Sequence, residues 1–257
     1  MKEIISDEFW NCMKDLFTKS YGKPGRPPMS PREALSGIMY VLENGCKWRF
    51  LPKIYGPAST VHGTFMRWAA NGVFEAVMKR SREFYFSRGC IPKWCAIDSS
   101  SSKAPYATWA GKNPTDRSKH GIKKSIATDW YGTPIAIAVG PANRHDSVYF
   151  DEIVDDLDIF EKDVLGVMEA DSAYDAKRCR NKARSNNFVL FASTNKRRRK
   201  DMQKIKPGSR WKVEPSHSWL NNFRGLKICW TKSKEAFKSF LQLGASILMF
   251  RRVIIFG

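Results

Sequence analysis

The chain has 257 residues, with 42% hydrophobic and 13% aromatic residues, which excludes an intrinsically disordered protein. Its formal net charge is +19 at pH 7, and self-repulsion at that level disfavours an ordinary enzyme of small metabolites. A polyanionic partner is the usual reason for such an excess. A membrane surface is the other candidate, but no apolar run reaches the roughly 18 residues of a spanning helix, and the N-terminus lacks a signal-peptide layout. We therefore expect a cytoplasmic protein that binds nucleic acid and no membrane.

The first 88 residues have the pattern of a helical unit. Apolar residues at helical spacing predict four helices, at about residues 4–18, 30–44, 59–70 and 73–86. Ser6 or Asp7 is expected to cap the first helix and Ser30 the second, which has Pro31 at its first position. We predict a DNA-binding module over residues 1–88 that resembles a helix-turn-helix unit, and a bundle that only packs is the alternative.

From residue 89 onward, strands and helices alternate. The predicted order is strand 94–97, strand 122–128, strand 134–139, helix 147–159, strand 164–168, helix 175–185, strand 188–192, and helices at 212–224 and 234–252. Three strands in a meander followed by two strand–helix units is the order of an RNase H-like core. The predicted fold class is therefore α/β, with an RNase H-like mixed sheet flanked by helices over residues 89–257.

Three carboxylates lie where this core would gather them. Asp98 directly follows the first strand, Asp171 follows the fourth strand, and Glu214 opens a late helix. Any one carboxylate at a strand end is weak evidence, because such ends often turn into solvated loops. Together they fit phosphodiester chemistry, in which two Mg²⁺ ions about 4 Å apart take oxygen ligands from separate elements.

Six segments carry a family resemblance. They are GRPP at 25–28, NGCKWRFLPKIYGPASTVHGTFMRWAANGVF at 44–74, AIDSS at 96–100, GIKKSIATDWYGTPIAIAVGPANRHDS at 121–147, EADSAYDAK at 169–177 and WKVEPSHSWLNNFRGL at 211–226. On these motifs the chain resembles an insertion-sequence transposase of the four/five branch of the DDE superfamily, over nearly its whole length.

The resemblance implies a reaction and a set of partners. By analogy with the family, Asp98, Asp171 and Glu214 would be the catalytic residues and the ligands of a two-metal Mg²⁺ site, with Mn²⁺ as a substitute. The enzyme would bind the terminal inverted repeats of its transposon and cleave and join double-stranded DNA at the ends and the target. It would act as a homodimer or a larger synaptic assembly, and Arg224 would face the end DNA.

Further residues are candidates for DNA contact. Charge and position indicate Arg26 in a basic arm, Arg67 on a helix of the N-terminal module, Lys119 and Lys123 beside the meander, Arg197, Arg198 and Arg199 in a basic loop, and His217 on the same helix face as Glu214. Near the acids, Glu169 and Asp175 are expected to point away from Asp171. His145 and Asp146 are expected to cap the following helix and to support the site.

Two other functions stay open. A DNA-binding derivative that has lost catalysis would keep the fold and the basic surface. Pro215 favours this alternative, because the branch usually has Arg after the catalytic Glu. An RNase H-like nuclease that hydrolyses DNA without strand transfer is the other alternative.

Overall fold

The computed structural model describes residues 5–17, 28–89, 93–157, 165–193 and 208–256. Its N-terminal part contains the four predicted helices: α1 (Asp7–Met13), α2 (Pro31–Asn44), α3 (Ala58–Ala70) and α4 (Val73–Ser87). Ser6 caps α1, since its side chain accepts a 3.2 Å hydrogen bond from the Phe9 amide. Ser30 occupies the N-cap position of α2, but its side chain caps no described backbone amide.

The remainder forms one mixed sheet with helices. Its strands are β1 (Trp94–Lys103), β2 (Gly111–Lys112), β3 (His120–Thr128), β4 (Pro134–Pro141), β5 (Gly166–Ala170) and β6 (Phe188–Ala192). The helices are α5 (Phe150–Asp156), α6 (Lys177–Ser185), α7 (Glu214–Asn222), α8 (Arg224–Lys227) and α9 (Lys234–Phe256). The predicted order of strands and helices is confirmed, and the two-residue strand β2 was not predicted.

The strand pairing is that of an RNase H-like sheet. The spatial order is β4-β3-β1-β5-β6. The short strand β2 pairs with the first two residues of β3. Strand β3 is antiparallel to both β1 and β4, whereas β1, β5 and β6 run parallel to one another. The predicted fold class is therefore confirmed.

The two strands next to the aspartates, β1 and β5, differ from their predicted bounds. Strand β1 continues past Ile97 to Lys103, because Ser99–Ser102 pair in register with β3 despite their polarity. Strand β5 spans Gly166–Ala170, two residues later than predicted, so that Asp171 follows it directly.

Helices cover both faces of the sheet. One face, with Ile97 and Met168, forms an apolar core with residues of α5 and α6. The opposite face, with Ile122 and Ile126, shares a core with α1–α4 and α7–α9. Within that second core, Phe250 of α9 stacks on Phe84 of α4 at 4.6 Å between ring centroids. Phe9 of α1 also contacts Phe250, at 5.0 Å between ring centroids, so the first and last helices share this core. The module boundary at residues 88 and 89 stays a prediction.

Helix α9 is the longest helix of the described chain, with 23 residues. It carries Arg251 and Arg252 near its end, and Arg251 lies 3.6 Å from Glu43. Within the described ranges, no helix has the length and apolar character to cross a bilayer.

Candidate active site

Two aspartates lie at neighbouring parallel strands, Asp98 within β1 and Asp171 directly after β5. Ile97 of β1 pairs with Ala170 of β5, so the next residues along the two strands are Asp98 and Asp171. Ile97 and Ala170 point into the core formed with α5 and α6. Because side chains alternate along a strand, Asp98 and Asp171 point to the opposite face, which we call the α7 face.

The carboxylate of Asp98 has both cationic and anionic neighbours. Burial raises the pKa of Asp98; Arg210 opposes this rise, whereas Asp171 and Asp146 add to it. The Arg210 guanidinium lies 3.2 Å from the Asp98 carboxylate. Asp171 accepts a 2.6 Å hydrogen bond from the amide of Ser172. Arg210 therefore supplies positive charge where several carboxylates converge.

Glu214 approaches the same face on a different element. It is the first residue of α7, as predicted, and its side chain is exposed. Four residues before it Arg210 pairs with Asp98, and three residues after it the His217 Nδ1 atom lies 2.9 Å from Ser100 Oγ. Over the described ranges, no group of three or more His, Cys, Asp or Glu side chains is arranged to hold a metal ion. The structure thus brings Asp98 and Asp171 together and leaves the Glu214 carboxylate outside such a group.

The prediction for Glu169 was wrong. Glu169 and Asp171 are two positions apart, so they share a face of β5 rather than lying on opposite faces. The Glu169 carboxylate accepts a 2.9 Å hydrogen bond from the amide of Ser209, next to Arg210. Asp175 does point elsewhere, because it is buried and pairs with Arg180. Glu169 therefore fixes the segment that carries Arg210.

The His-Asp pair after the meander lies at the start of the next helical segment, and His145 caps it as predicted. His145 is the N-cap of the turn of 3₁₀-helix at Asp146–Tyr149, and its Nδ1 atom accepts from the Ser147 amide. Asp146 forms an ion pair with Lys123 at 2.5 Å and is close enough to raise the pKa of Asp98. The acidic surroundings of Asp98 therefore include Asp146.

The candidate DNA contacts differ in exposure. Arg67, Lys119 and Arg224 are exposed, and the backbone of Arg224 packs against Gly45 at the end of α2. Lys123 is half-buried by its ion pair, and His217 is largely covered by the sheet. Arg26, Arg197, Arg198 and Arg199 lie outside the described residues.

A buried polar cluster lies beside the aspartates and was not predicted from the sequence. Lys124 is only 1% exposed and donates to Asn221 Oδ1 at 2.7 Å and to the Leu226 carbonyl at 3.3 Å. Burial lowers the pKa of Lys124 to about 8. Burial, and then the charge of Lys124, lower the pKa of His217 to about 4, so this imidazole is neutral at pH 7. The sequence alone does not predict this burial, because strand alternation does not show which face a helix will cover.

Exposed aromatic side chains lie near Arg210. Trp211 is 60% exposed and Trp130 is 46% exposed. The Lys212 ammonium lies 3.5 Å from the centroid of the Trp130 ring, within cation–π range. This surface combines rings and positive charge, a combination that suits nucleic acid.

Comparison with known proteins gives matches over most of the chain. Residues 5–78 match a family model described as a putative transposase of the IS4/5 family, and residues 92–250 match the transposase DDE domain. A putative transposase for insertion sequence element IS402 from Burkholderia cepacia is 31% identical over 145 residues, which cover 54% of this chain and 67% of the relative. A 16.2 kDa protein of the same element is 35% identical over 116 residues, covering 40% of this chain and 75% of the relative.

Solved structures give a weaker likeness. The Mos1 strand transfer complex is 11% identical with a TM-score of 0.33, covering 91% of this chain and 78% of that one. The Mos1 mariner paired-end complex with Mn is 12% identical with the same TM-score of 0.33, covering 95% and 84%. Similarity at this level supports no statement about individual residues of this chain. The fold is established by the strand order.

The fold and the paired aspartates define an RNase H-like α/β protein with an acidic site on one face of its sheet. The family models, which together cover most of the chain, identify it further. The chain belongs to the transposase DDE domain family and is an insertion-sequence transposase of the DDE superfamily.

Proposed function

We propose that this transposase is catalytically active and binds the terminal inverted repeats of its own element, cleaves the DNA there and joins the ends to a target. The observation that carries the proposal is the placement of Asp98 within β1 and of Asp171 directly after the neighbouring parallel strand β5, on the face that α7 covers. Two carboxylates in that arrangement, with the Arg210 guanidinium 3.2 Å from Asp98, suit chemistry on a phosphodiester.

The donor set fits Mg²⁺, with Mn²⁺ as a substitute. Asp98 and Asp171 offer hard oxygen ligands, and Mg²⁺ sites in proteins commonly use one or two carboxylates with substrate phosphates. The raised pKa of Asp98, caused by burial and opposed by Arg210, indicates a carboxylate that gains from a cation. Glu214 on α7 is the proposed third ligand. Bound there, divalent metal would activate the attacking oxygen and stabilise the leaving oxygen.

The chain's own groups have separate roles in this proposal. Arg210 opposes the rise that burial causes in the pKa of Asp98, and Glu169 holds the segment of Arg210 in place through Ser209. Arg67, Lys119 and Arg224 offer exposed cations to DNA phosphates, and Arg26, Lys123, Arg197, Arg198, Arg199 and His217 are further proposed contacts. The proposed assembly is a homodimer or larger synaptic complex on the transposon ends, in the cytoplasm and associated with the nucleoid.

The test is a cleavage assay with Mg²⁺ on DNA that carries both ends of the element. Wild type should cut at the ends, and Asp98→Asn, Asp171→Asn and Glu214→Gln should each lose cleavage while still binding the DNA. Glu83→Gln, at an exposed acid of α4, is the matched control and should cut like wild type. Equal cleavage by wild type and all three site variants would overturn the assignment.

Two alternatives have distinct outcomes in the same experiment. Pro215 and the exposed carboxylate of Glu214 favour a derivative that binds DNA without cutting it. End binding without cleavage under Mg²⁺ or Mn²⁺ would establish that derivative. Cleavage without joined products on a target plasmid would instead establish an RNase H-like nuclease.

A further inference from the structure

Lys124 is a charged side chain in an unusual place. It lies in the middle of β3 under α7 and is almost completely buried. Its two hydrogen-bond acceptors, Asn221 Oδ1 and the Leu226 carbonyl, are neutral, and no described carboxylate lies within ion-pair distance. Burial of an ammonium group without a counter-charge destabilises the fold. An apolar side chain of similar length would fill the space, so the charge calls for an explanation other than packing.

The acceptors of Lys124 belong to the segment that carries the proposed glutamate. Asn221 lies in the last turn of α7, seven residues after Glu214, and Leu226 lies in α8. Between them the backbone leaves helical geometry at Phe223, where ψ is 101°. Lys124 therefore bridges the break between α7 and α8 and ties both helices to the centre of the sheet.

A second contact joins the same helix to the strand of Asp98. Lys124 pairs in register with Ser100 of β1, and Ser100 Oγ lies 2.9 Å from His217 Nδ1 in the middle of α7. Ser100 follows Asp98 by two residues and shares its face of the strand. A third contact lies one residue before His217, where the Ser216 hydroxyl donates to the Gly132 carbonyl. Helix α7 is thus held to the sheet by polar contacts at Ser216, His217 and Asn221.

We propose that Lys124 is a positioning residue, which through Asn221 and Leu226 fixes α7 over the sheet and so sets the place of Glu214 relative to Asp98 and Asp171. This inference rests on the proposed function for the role of Glu214. Directional hydrogen bonds hold a helix in one position, whereas an apolar contact allows it to slide.

The first test compares Lys124→Met with wild type. The melting temperature should change little, because removal of a buried charge offsets the loss of its two hydrogen bonds. The cleavage rate should fall by about 10- to 100-fold, since small displacements of a reacting group have effects of that size. The Mg²⁺ concentration for half-maximal cleavage should rise, whereas end-DNA affinity in EDTA should stay within about threefold of wild type. Lys14→Met, at an exposed lysine after α1, is the control and should match wild type.

A pair of variants at Asn221 isolates the contact. Asn221→Asp keeps an oxygen acceptor for the ammonium and should retain cleavage, whereas Asn221→Leu should lose it to the same extent as Lys124→Met. A purely structural role would instead lower the melting temperature of both Lys124→Met and Asn221→Leu in parallel with activity. That parallel loss, or wild-type cleavage and metal dependence in Lys124→Met, would overturn the inference.

Hydrogen exchange makes the inference testable apart from catalysis. In Lys124→Met the amides of residues 216–222 should exchange faster than in wild type, while those of α9 keep their protection. Unchanged exchange over 216–222 would refute the positioning role even if the wild type cut no DNA. Failure of the wild type to cleave, with faster exchange in the variant, would instead overturn only the proposed function.

Discussion

The two faces of the sheet are built differently. The face toward α5 and α6 buries apolar side chains, and all four acids of α5 pair with cations around it: Asp151 with Arg178, Glu152 with Lys238, Asp155 with Lys182 and Asp156 with Arg82. The α7 face also buries apolar side chains, but it adds ionisable groups beside the two aspartates. There Asp98 has a raised pKa through burial, and Lys124 and His217 have lowered ones.

The two faces of the sheet therefore differ in what they contribute: one mainly to stability, the other to the proposed chemistry. Apolar burial on the first face contributes folding free energy in proportion to its area. Desolvated charges on the second face subtract from that free energy, and such groups concentrate at functional sites. Substitutions of apolar residues on the first face should therefore lower stability and spare cleavage, whereas substitutions of ionisable residues on the α7 face should lower cleavage and spare stability.

The largest expected contrast lies between two adjacent residues of β1. Ile97→Ala removes a fully buried side chain from the α5 and α6 face and should lower the free energy of unfolding by about 2–5 kcal/mol. Its cleavage rate at low temperature, where the variant stays folded, should remain near that of wild type. Asp98→Asn should do the reverse, with unchanged or higher stability and no cleavage. Urea unfolding measures the first effect and the end-cleavage assay the second, and equal stability losses in both variants would contradict the contrast.

The next largest effect is a pH dependence on the α7 face. Burial, followed by the charge of Lys124, lowers the pKa of His217 to about 4, against about 6.5 when exposed. The unfolded chain therefore binds this proton more readily than the folded one. Stability should fall as pH drops below about 6.5, and the loss should be complete near pH 4, at roughly 3 kcal/mol.

The measurement is urea unfolding of wild type and His217→Gln at pH 7, 5.5 and 4. The variant should lose less stability over this range, because it has no imidazole to protonate. Parallel curves for the two proteins would show that His217 is not the group responsible.

The smallest effect is expected at the surface of α5. Asp155 is 62% exposed and pairs with Lys182, and exposed ion pairs contribute at most about 1 kcal/mol. Asp155→Ala should therefore change the free energy of unfolding by less than that, and the change should shrink further in high salt. Thermal melts at low and high salt measure it. A loss above about 2 kcal/mol would mean that this face also depends on its charges.

The fold was predictable because its signals are local. Alternating and helical periodicities gave the order of strands and helices, and Asp98 and Asp171 stood out because each follows an apolar strand. Strand β1 was cut short because Ser99–Ser102 break the apolar pattern, although backbone pairing with β3 extends it.

The remainder of the site depends on contacts between distant parts of the chain. Lys124 meets Asn221 across 97 positions, and Arg210 meets Asp98 only because a late segment folds back over β1. Strand alternation puts Lys124 and its neighbour Lys123 on opposite faces, but no local pattern shows which of the two is buried; Lys123 pairs with Asp146. The wrong prediction for Glu169 does not depend on distant contacts, because period-2 alternation counted from Asp171 is sufficient to place Glu169 on the same face.

The shared core of the first and last helices has a consequence for synthesis. Phe9 of α1 and Phe84 of α4 both contact Phe250 of α9, and Phe65 of α3 stacks on Phe240 of the same helix. A growing chain on the ribosome therefore exposes these early rings to water until α9 emerges. Nascent chains that stall before residue 234 would present an unfinished apolar surface to chaperones and proteases.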